Sequence, residues 1–387
     1  MDRKEALLHF QTTIAQPAVE NSLKSFYQEF SVKKQQFCQS LLEGVDRLLE
    51  KVLQEDPEKE IAVIRLAYLQ AGILDGTYQW QIIAQDKNEY LDKEPIETEI
   101  ELSSFFACIE NVAAELTAEV RKYVGNLYEG DVDKYKIEAW KKCIPTIYLA
   151  SSYAFRNFRA HKKFQQIRRH KVFRIVVSGY MDQEQVVFLH TEEDFEKTKQ
   201  QLYRKGDAIQ LKEPQFLYRN YSGIVLKTEE SRVDCKNLMF TCFEKCRIRY
   251  HQFMFCNLIG INFRNSRIDD SGFIGNPMQQ ADFTDAVLCN CDMHTSMFYG
   301  GEYVDGQITP GIFSASFQNA TLDRVNFSYC DLRNCDFSGA DMKEVVFENA
   351  KMNGTRIDKM NKDNLILTQE QIEEIIWVTD EERGGNE

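Results

Sequence analysis

Ala281-Asp282-Phe283-Thr284-Asp285 and Ala340-Asp341-Met342-Lys343-Glu344 are two copies of one five-residue unit, in which a small residue stands two places before a bulky apolar one. The same unit runs outward in both directions. Val233, Leu238, Phe243, Ile248, Phe253, Leu258, Phe263, Ile268, Phe273, Met278, Phe283, Leu288, Met293 and Phe298 follow one another every five residues. The phase slips, then resumes at Phe317, Leu322, Phe327, Leu332, Phe337, Met342, Phe347, Met352 and Ile357. The place two residues earlier is mostly small: Thr241, Cys246, Cys256, Ser266, Ser271, Ala281, Ala286, Cys291, Ser296, Ala315, Ala320, Cys330, Cys335, Ala340 and Ala350. A self-similar period sustained this long outranks any local motif.

A period of five matches neither the helical 3.6 nor the strand period of two. It suits a chain that turns a corner every five residues and points two side chains of each five inward. No single turn buries its own apolar face, so successive turns must stack, with backbone hydrogen bonds between coils.

The units Ala281-Asp282-Phe283-Thr284-Asp285, Ala320-Thr321-Leu322-Asp323-Arg324, Ala340-Asp341-Met342-Lys343-Glu344 and Ala350-Lys351-Met352-Asn353-Gly354 resemble the pentapeptide-repeat family. The resemblance covers about a third of the chain and implies a right-handed, four-sided β-helix over residues 233–357, four pentapeptides to a coil. Six or so such coils would make a rod about 30 Å long at the usual inter-strand spacing. Its open ends need caps. Leu365-Ile366-Leu367-Thr368-Gln369-Glu370-Gln371 resembles the closing segment of such rods. Thr368 to Gln371 is a capping box, and Ile372, Ile375, Ile376 and Trp377 follow at helical spacing. Residues 358–387 are thus expected to be a capping helix and an acidic tail.

The chain as a whole has 387 residues, long enough for two or three domains. Nothing near the start reads as a signal peptide, and no apolar run reaches the length of a membrane span. Of 11 cysteines, most lie in the repeats, where Cys246, Cys256, Cys291, Cys330 and Cys335 take the small inward place. They read as core filler in a reduced, cytoplasmic, bacterial protein rather than as disulfides.

Residues 1–160 read as a helical bundle. Leu23, Phe26, Phe30, Phe37, Leu41, Val45, Leu48 and Val52 recur at helical spacing up to Asp56-Pro57. Ile61, Ile64, Ala67 and Leu69 suggest a second helix, stopped by Gly72 and Gly76. Ile100, Phe105, Ile109, Val112, Leu116, Val120 and Val124 suggest a third, and Trp140, Ile144, Ile147 and Tyr148 a fourth with a kink at Pro145. Residues 161–232 read as a connector. Val172–Val177 and Gln185–Leu189 form a hairpin, Thr191 caps a helix to about Tyr203, and the remainder enters and caps the coil.

No phosphate-binding glycine loop, nucleophile elbow or metal-spaced cluster is present, so no catalytic, cofactor or metal residue is expected. The charge is more informative. Arg156, Arg159, Lys162, Lys163, Arg168, Arg169, Lys171 and Arg174 form an acid-free stretch interleaved with Phe158, Phe164 and Phe173. It suits nucleic acid or an anionic surface, or else a solvated face over core phenylalanines. Between Arg267 and Arg324 stands no Lys or Arg, while Asp269, Asp270, Asp282, Asp285, Asp292, Glu302, Asp305 and Asp323 suggest an acidic band. Of these, Asp282, Asp285, Asp292, Glu302 and Asp305, with Tyr303, are expected to form a partner surface. The interruption at 299–312 carries Glu302, Tyr303 and Asp305 and reads two ways. Either Tyr303, Ile308 and Phe313 are degenerate centres of an ordinary face, or the segment leaves the coil as a loop that helps to form a partner surface.

Three function classes follow. The leading one is a non-enzymatic interaction scaffold, a rigid rod with an N-terminal region that binds a partner protein. The family resemblance implies a second, since some members mimic duplex DNA and bind DNA gyrase. The repeat region, however, holds 13 basic and 16 acidic residues over 231–360, a net of only −3. The third is an effector-like enzyme with its site hidden in the N-terminal region. A homodimer through the C-terminal end is a further expectation.

Overall fold

A computed structural model describes residues 2–179, 183–192, 202, 216–226, 231–300, 303–304, 307–308 and 311–379. The chain divides into two compact units, Met1–His190 with Glu302–Thr309, and Thr191–Gly301 with Pro310–Glu387. No helix among the described residues is long and apolar enough to cross a membrane.

The first unit opens on α1 (Arg3–Phe10), capped by Asp2 with Glu5 reaching back. A π-helical turn, Gln11–Ala15, joins it to α2 (Gln16–Glu55). Pro17 lacks a backbone N–H, and a π turn just before it absorbs the missing bond. Every apolar residue assigned to the α2 stripe, from Leu23 to Val52, is buried.

The bundle expectation fails beyond Asp56. The next elements are β1 (Ile61–Tyr68), α3 (Gln70–Asp75), β2 (Gln79–Gln85), β3 (Ile96–Glu101), α4 (Ala107–Val120), α5 (Asp133–Ala154) and α6 (Lys162–Gln166). They are followed by β4 (Arg169–Gly179) and β5 (Glu184–Thr191). The strands form one mixed sheet in the order β3-β2-β1-β4-β5. The pair β1–β4 is parallel, and β1–β2 and β2–β3 are antiparallel. The run Ile61–Tyr68 looked helical because a central strand buried on both faces is apolar nearly throughout, which supplies i, i+3 matches by default. Helix α2 packs on α4, α5 and across β2 and β3. It also covers the sheet edge, where Lys51 Nζ donates to the Glu97 carbonyl (2.9 Å) and Arg47 to that of Glu99 (3.4 Å). Helix α5 runs on through Pro145. Val172–Val177 and Gln185–Leu189 lie in β4 and β5, so both join this sheet. The helix expected from Thr191 to Tyr203 lies outside the described residues except at its first two positions and Leu202.

The second unit is a coil of stacked parallel rungs. Arg247, Arg267, Val287, Thr321 and Asp341 begin successive rungs of one ladder. Cys242, Asn262, Asp282, Ser316 and Asp336 mark a second, and Gln252, Gly272, Asp292, Asn326, Val346 and Ile366 a third. Asn237–Asn257, Pro277–Met297–Asp331–Lys351 belong to a fourth. Among the described residues from Val233 on, and away from the interruption, the rungs repeat every 20 residues. All 23 centres are buried, and so is every small residue named two places before one. Phe243, Phe263, Phe283, Phe317 and Phe337 form a continuous stack, with centroids 5.4, 5.2, 4.8 and 4.6 Å apart.

What turns each corner is the residue two places after the centre. From Cys235 to Gly354 these residues sit at positive φ, except Gly300 at the interruption; among them are Asn265, Asp270, Asp285, Asn290, Asn319, Asn334, Gly260 and Gly339. Asn, Asp and Gly tolerate this left-handed conformation best. At Gly260 space as well as φ (+67) favours glycine, because a Cβ would lie 2.3 Å from the Phe240 ring on the preceding coil.

The ends differ from expectation. Val225–Leu226 already pair with Arg247–Ile248, so the coil starts before Val233. At the other end Thr368 does cap a short helix, α7 (Gln369–Glu374), with Gln371 completing the box. Ile376 and Trp377 are not helical. They form a strand, Ile376–Val378, that pairs in parallel with Arg356–Asp358 as one more rung. Trp377 is therefore a coil position in register with Ile357.

The thiols behave as filler. Burial pushes Cys246, Cys256, Cys291 and Cys330 up to about 12, and Cys335 well above its ordinary value. Only Cys235 and Cys289 are half-buried; the other nine are buried. With a thiol reagent at pH 8, Cys235 is expected to react first. Cys289 should lag, because partial burial and the Asp323 carboxylate keep it protonated. The nine should react only in denaturant. Several fast native thiols, or stoichiometric zinc in the purified protein, would refute this.

Candidate interaction surface

The interruption is an excursion from the coil. Asp282 pairs with Ser316, Asp292 with Asn326 and Met297 with Asp331, each 34 residues apart instead of 20, an excess of 14. Phe298 and Phe317 are therefore consecutive centres, and their rings meet edge to face at 5.5 Å. The degenerate-face reading of Tyr303, Ile308 and Phe313 is set aside, since no rung is available for them. Within the excursion Tyr303–Val304 pair antiparallel with Gln307–Ile308. Glu302 and Asp305 lie outside the described residues.

The base of the excursion is clamped by the coil beneath. Gln280 Oε1 accepts from Ile312 N (2.6 Å), and Gln280 N donates to the Phe313 carbonyl (3.0 Å). Gly300 and Gly311 both lie against Gln279, so that a Cβ on Gly311 would come within 2.6 Å of its Cβ. Both glutamines are buried. The departing and returning strands are thus held at fixed positions.

The acidic residues have local work. Asp282 Oδ1 accepts from Thr284 N (3.0 Å) and Asp292 Oδ1 from His294 N (3.2 Å). Asn262, Asn326 and Asp336 accept in the same way from the backbone two residues on. These side chains close the corner as Asx turns. Asp282 is buried and lies 3.2 Å from Arg264, which also approaches Asp285 at 3.8 Å. Asp292 accepts from the Asn326 amide (3.0 Å). Asp282 and Asp292 stand on ladders separated by another ladder either way round the coil, so the structure does not bring them onto one face. A different polar row runs along the corner. Arg249 donates to Asp270 (3.1 Å), the Asn290 amide donates to Asp270 (3.0 Å), and Arg324 donates to Asn290 (2.5 Å). The Asn290 amide and the Arg249 guanidinium hold Asp270 below the usual carboxylate range.

The basic stretch is largely paired within the first unit. Lys163 lies 2.8 Å from Asp46 and 3.1 Å from Glu50, Arg168 2.9 Å from Glu58, and Arg174 2.7 Å from Glu89. Arg156 stacks on Tyr153, Arg159 on Phe188 and Arg169 on Phe164. Lys162 and Lys171 are exposed. Phe158, Phe164 and Phe173 are buried core.

Sequence reading missed one cluster. Arg65, in the middle of central strand β1, is fully buried. Its Nη1 donates to Glu184 (2.7 Å), its Nη2 to Glu89 (3.4 Å) and its Nε to Gln85 (3.2 Å). Tyr90 covers it, with the guanidinium carbon 4.2 Å from the ring centre. Arg174 bridges the same two carboxylates, at 2.7 Å from Glu89 and 3.6 Å from Glu184. The signal was available: an arginine inside an apolar strand demands partners.

Residues 314–357 match the family model for pentapeptide repeats, in 8 copies. The N-terminal region matches no family model, and no curated protein matches the chain. Among solved structures the chain is similar to a trypsin-treated form of QnrB1, a plasmid-mediated fluoroquinolone resistance protein (TM-score 0.21, 15% identity, 37% of this chain and 74% of that one). It is also similar to Rfr23, a pentapeptide repeat protein of the cyanobacterium Cyanothece 51142 (0.14, 14%, 36% and 88%). A third is a pentapeptide repeat protein of the Arabidopsis thaliana thylakoid lumen (0.11, 16%, 40% and 70%). At these TM-scores none of the three carries an argument about this chain.

Proposed function

We propose that this pentapeptide-repeat chain is a non-enzymatic protein–protein interaction scaffold, its coil a right-handed, four-sided β-helix and the excursion at 299–312 part of its partner surface. The observation that carries the reading is the excursion itself. Its 14 extra residues leave the coil between consecutive centres while the ladders on both sides keep register. A loop on a rigid scaffold can vary without cost to the core, which is where binding residues concentrate. The DNA-mimic alternative has less support. Arg249, Arg264, Arg267 and Arg324 lie against the coil's carboxylates, which breaks up a duplex-like negative stripe. The enzyme alternative has no free acid–base pair to use in the buried cluster, where arginines bind both glutamates.

Replacing Gly301–Gly311 by a short glycine bridge should leave the β-rich circular dichroism of the coil intact and weaken capture of the partner from native extract. If the coil unfolds, or if capture is unchanged, the surface assignment fails. A supercoiling assay with gyrase separates the readings further, since inhibition by the protein would favour the DNA mimic.

A further inference from the structure

We propose that Arg65 and Arg174 form an oxyanion-binding site in the first unit, held shut in the free protein by the Glu89 carboxylate. An incoming carboxylate or phosphate group would take the place of Glu89. This inference does not depend on the scaffold reading.

The geometry is that of a bound anion supplied by the chain itself. Glu89 Oε1 accepts from Arg174 (2.7 Å) and its Oε2 from Arg65 (3.4 Å), so one planar carboxylate spans two guanidiniums. Arginine forks favour such bridging of carboxylates and phosphates. The two arginines are fixed from below. Arg65 is fully buried on β1 and anchored by Gln85, and Arg174 stands on the neighbouring parallel strand β4.

Glu89 is held differently. It lies on the link between β2 and β3, in a three-residue 3₁₀ turn, with φ at +53. That left-handed conformation is unfavourable for a residue with a side chain and persists only where something holds it. Backbone bonds from Glu89 N to the Asp86 carbonyl (3.1 Å) and from Asp92 N to the Glu89 carbonyl (2.9 Å) fix that turn, and the two arginines hold only the side-chain carboxylate. The base of the link is tied separately: Asp92 Oδ2 accepts from Asp86 N (2.9 Å), Asp86 Oδ1 accepts from Asn88 N (2.7 Å), and Lys59 lies 2.8 Å from Asp92. The Glu89 side chain can therefore swing out by rotation about its own bonds without undoing the base of the link.

Charge fixes the ligand class. With Glu89 displaced, two guanidiniums face one remaining carboxylate, Glu184, which leaves one net positive charge and suits a single oxyanion group. Because Arg65 is buried, an empty site would leave it and Arg174 to share the single carboxylate of Glu184. Exchange of one anion for another is therefore favoured over simple opening. The flank is accessible, since the Glu89, Glu184 and Arg174 side chains keep 31%, 25% and 26% of their exposure.

The test uses the full chain with sodium acetate and sodium phosphate as probes, each against sodium chloride at matched ionic strength. Affinity is read by calorimetry or by the shift in melting temperature. Glu89→Gln should bind at least one probe about tenfold more tightly than the wild type, a difference well resolved by either readout. Adding Arg174→Gln should abolish the gain. Glu58→Gln, which removes an equal charge from the exposed pair with Arg168, controls for general electrostatics. In the wild type, saturating anion should raise amide exchange over residues 87–91 while β1 and β4 stay protected. Response to acetate alone points to a carboxylate ligand, and response to phosphate alone to a phosphorylated one. Glu89→Gly, which fits the backbone, replaces the glutamine variant if that does not fold. A gain no larger than that of Glu58→Gln, or one that survives Arg174→Gln, overturns the proposal.

Discussion

Ala340→Arg is expected to unfold the coil, while Lys343→Glu, three residues away, leaves the melting curve nearly unchanged. Ala340 is buried at the inward place before Met342. Its neighbours along the stack are Ala320 below, where Asp341 N donates to the Ala320 carbonyl (2.9 Å), and Asn361 above, whose amide donates to the Ala340 carbonyl (3.0 Å). An arginine there has neither volume nor a partner. Overpacking together with a stranded charge should cost on the order of 4 kcal/mol or more, a large fraction of a domain's stability. Lys343 is the exposed end of a rung, and charge changes at such places usually stay within about 0.5 kcal/mol. Thermal melting followed by far-ultraviolet circular dichroism decides. Equal curves would mean that the inward register is wrong.

The second large effect is expected at Arg65. Arg65→Leu keeps most of the volume but leaves Glu89 and Glu184 beside a buried apolar wall. Removing one partner of a buried ion pair costs about 3–5 kcal/mol, and the partial exposure of both glutamates places this case near the lower end. Arg65→Lys should recover only part of the loss, because an ammonium cannot fork between Gln85, Glu184 and Glu89. The double variant Arg65→Leu, Glu184→Gln should regain most of it, because the one remaining carboxylate, Glu89, keeps Arg174 as its partner. Denaturant unfolding followed by fluorescence measures this, with Trp80 and Trp140 buried in the same unit. If Arg65→Leu alone is as stable as the double variant, the cluster is not under electrostatic tension.

The same cluster bears on how the molecule works. The excursion interrupts the repeat sequence and the arginine pair stands on the sheet of the first unit, and the two are chemically different. One is a loop carried by a rigid stack, the other a charged site closed by the chain's own carboxylate. Both experiments above leave the other feature untouched, and their outcomes are separable.

The coil was legible because its order is local. The side chain that each residue presents is set by its place among five, and its neighbours lie one coil away, 20 residues along. Phe283, Ala286 and Leu288 could be placed from a count alone. The excursion was half legible: the phase slip was visible, yet a 19-residue gap fits both a deletion at a corner and a loop between consecutive centres. Only the pairing of Asp282 with Ser316 chooses between them. The acidic residues misled for the same reason, since the count places Asp282 and Asp292 outside the inward positions but does not tell that Asp282 is buried, that both close turns or that they stand on opposite ladders.

In the first unit α2 was legible, because 40 residues of helix average out chance matches to the helical period. Strand β1 was not. Eight residues of nearly unbroken apolar sequence have no period, and the partner that makes Ile61–Tyr68 a strand is Arg169–Gly179, more than a hundred residues later. Arg65 shows the limit most plainly. The sequence determined that a charge stands inside an apolar run and must be neutralised. Its two carboxylates come from 24 and 119 residues away, and only the order of strands in the sheet could select them.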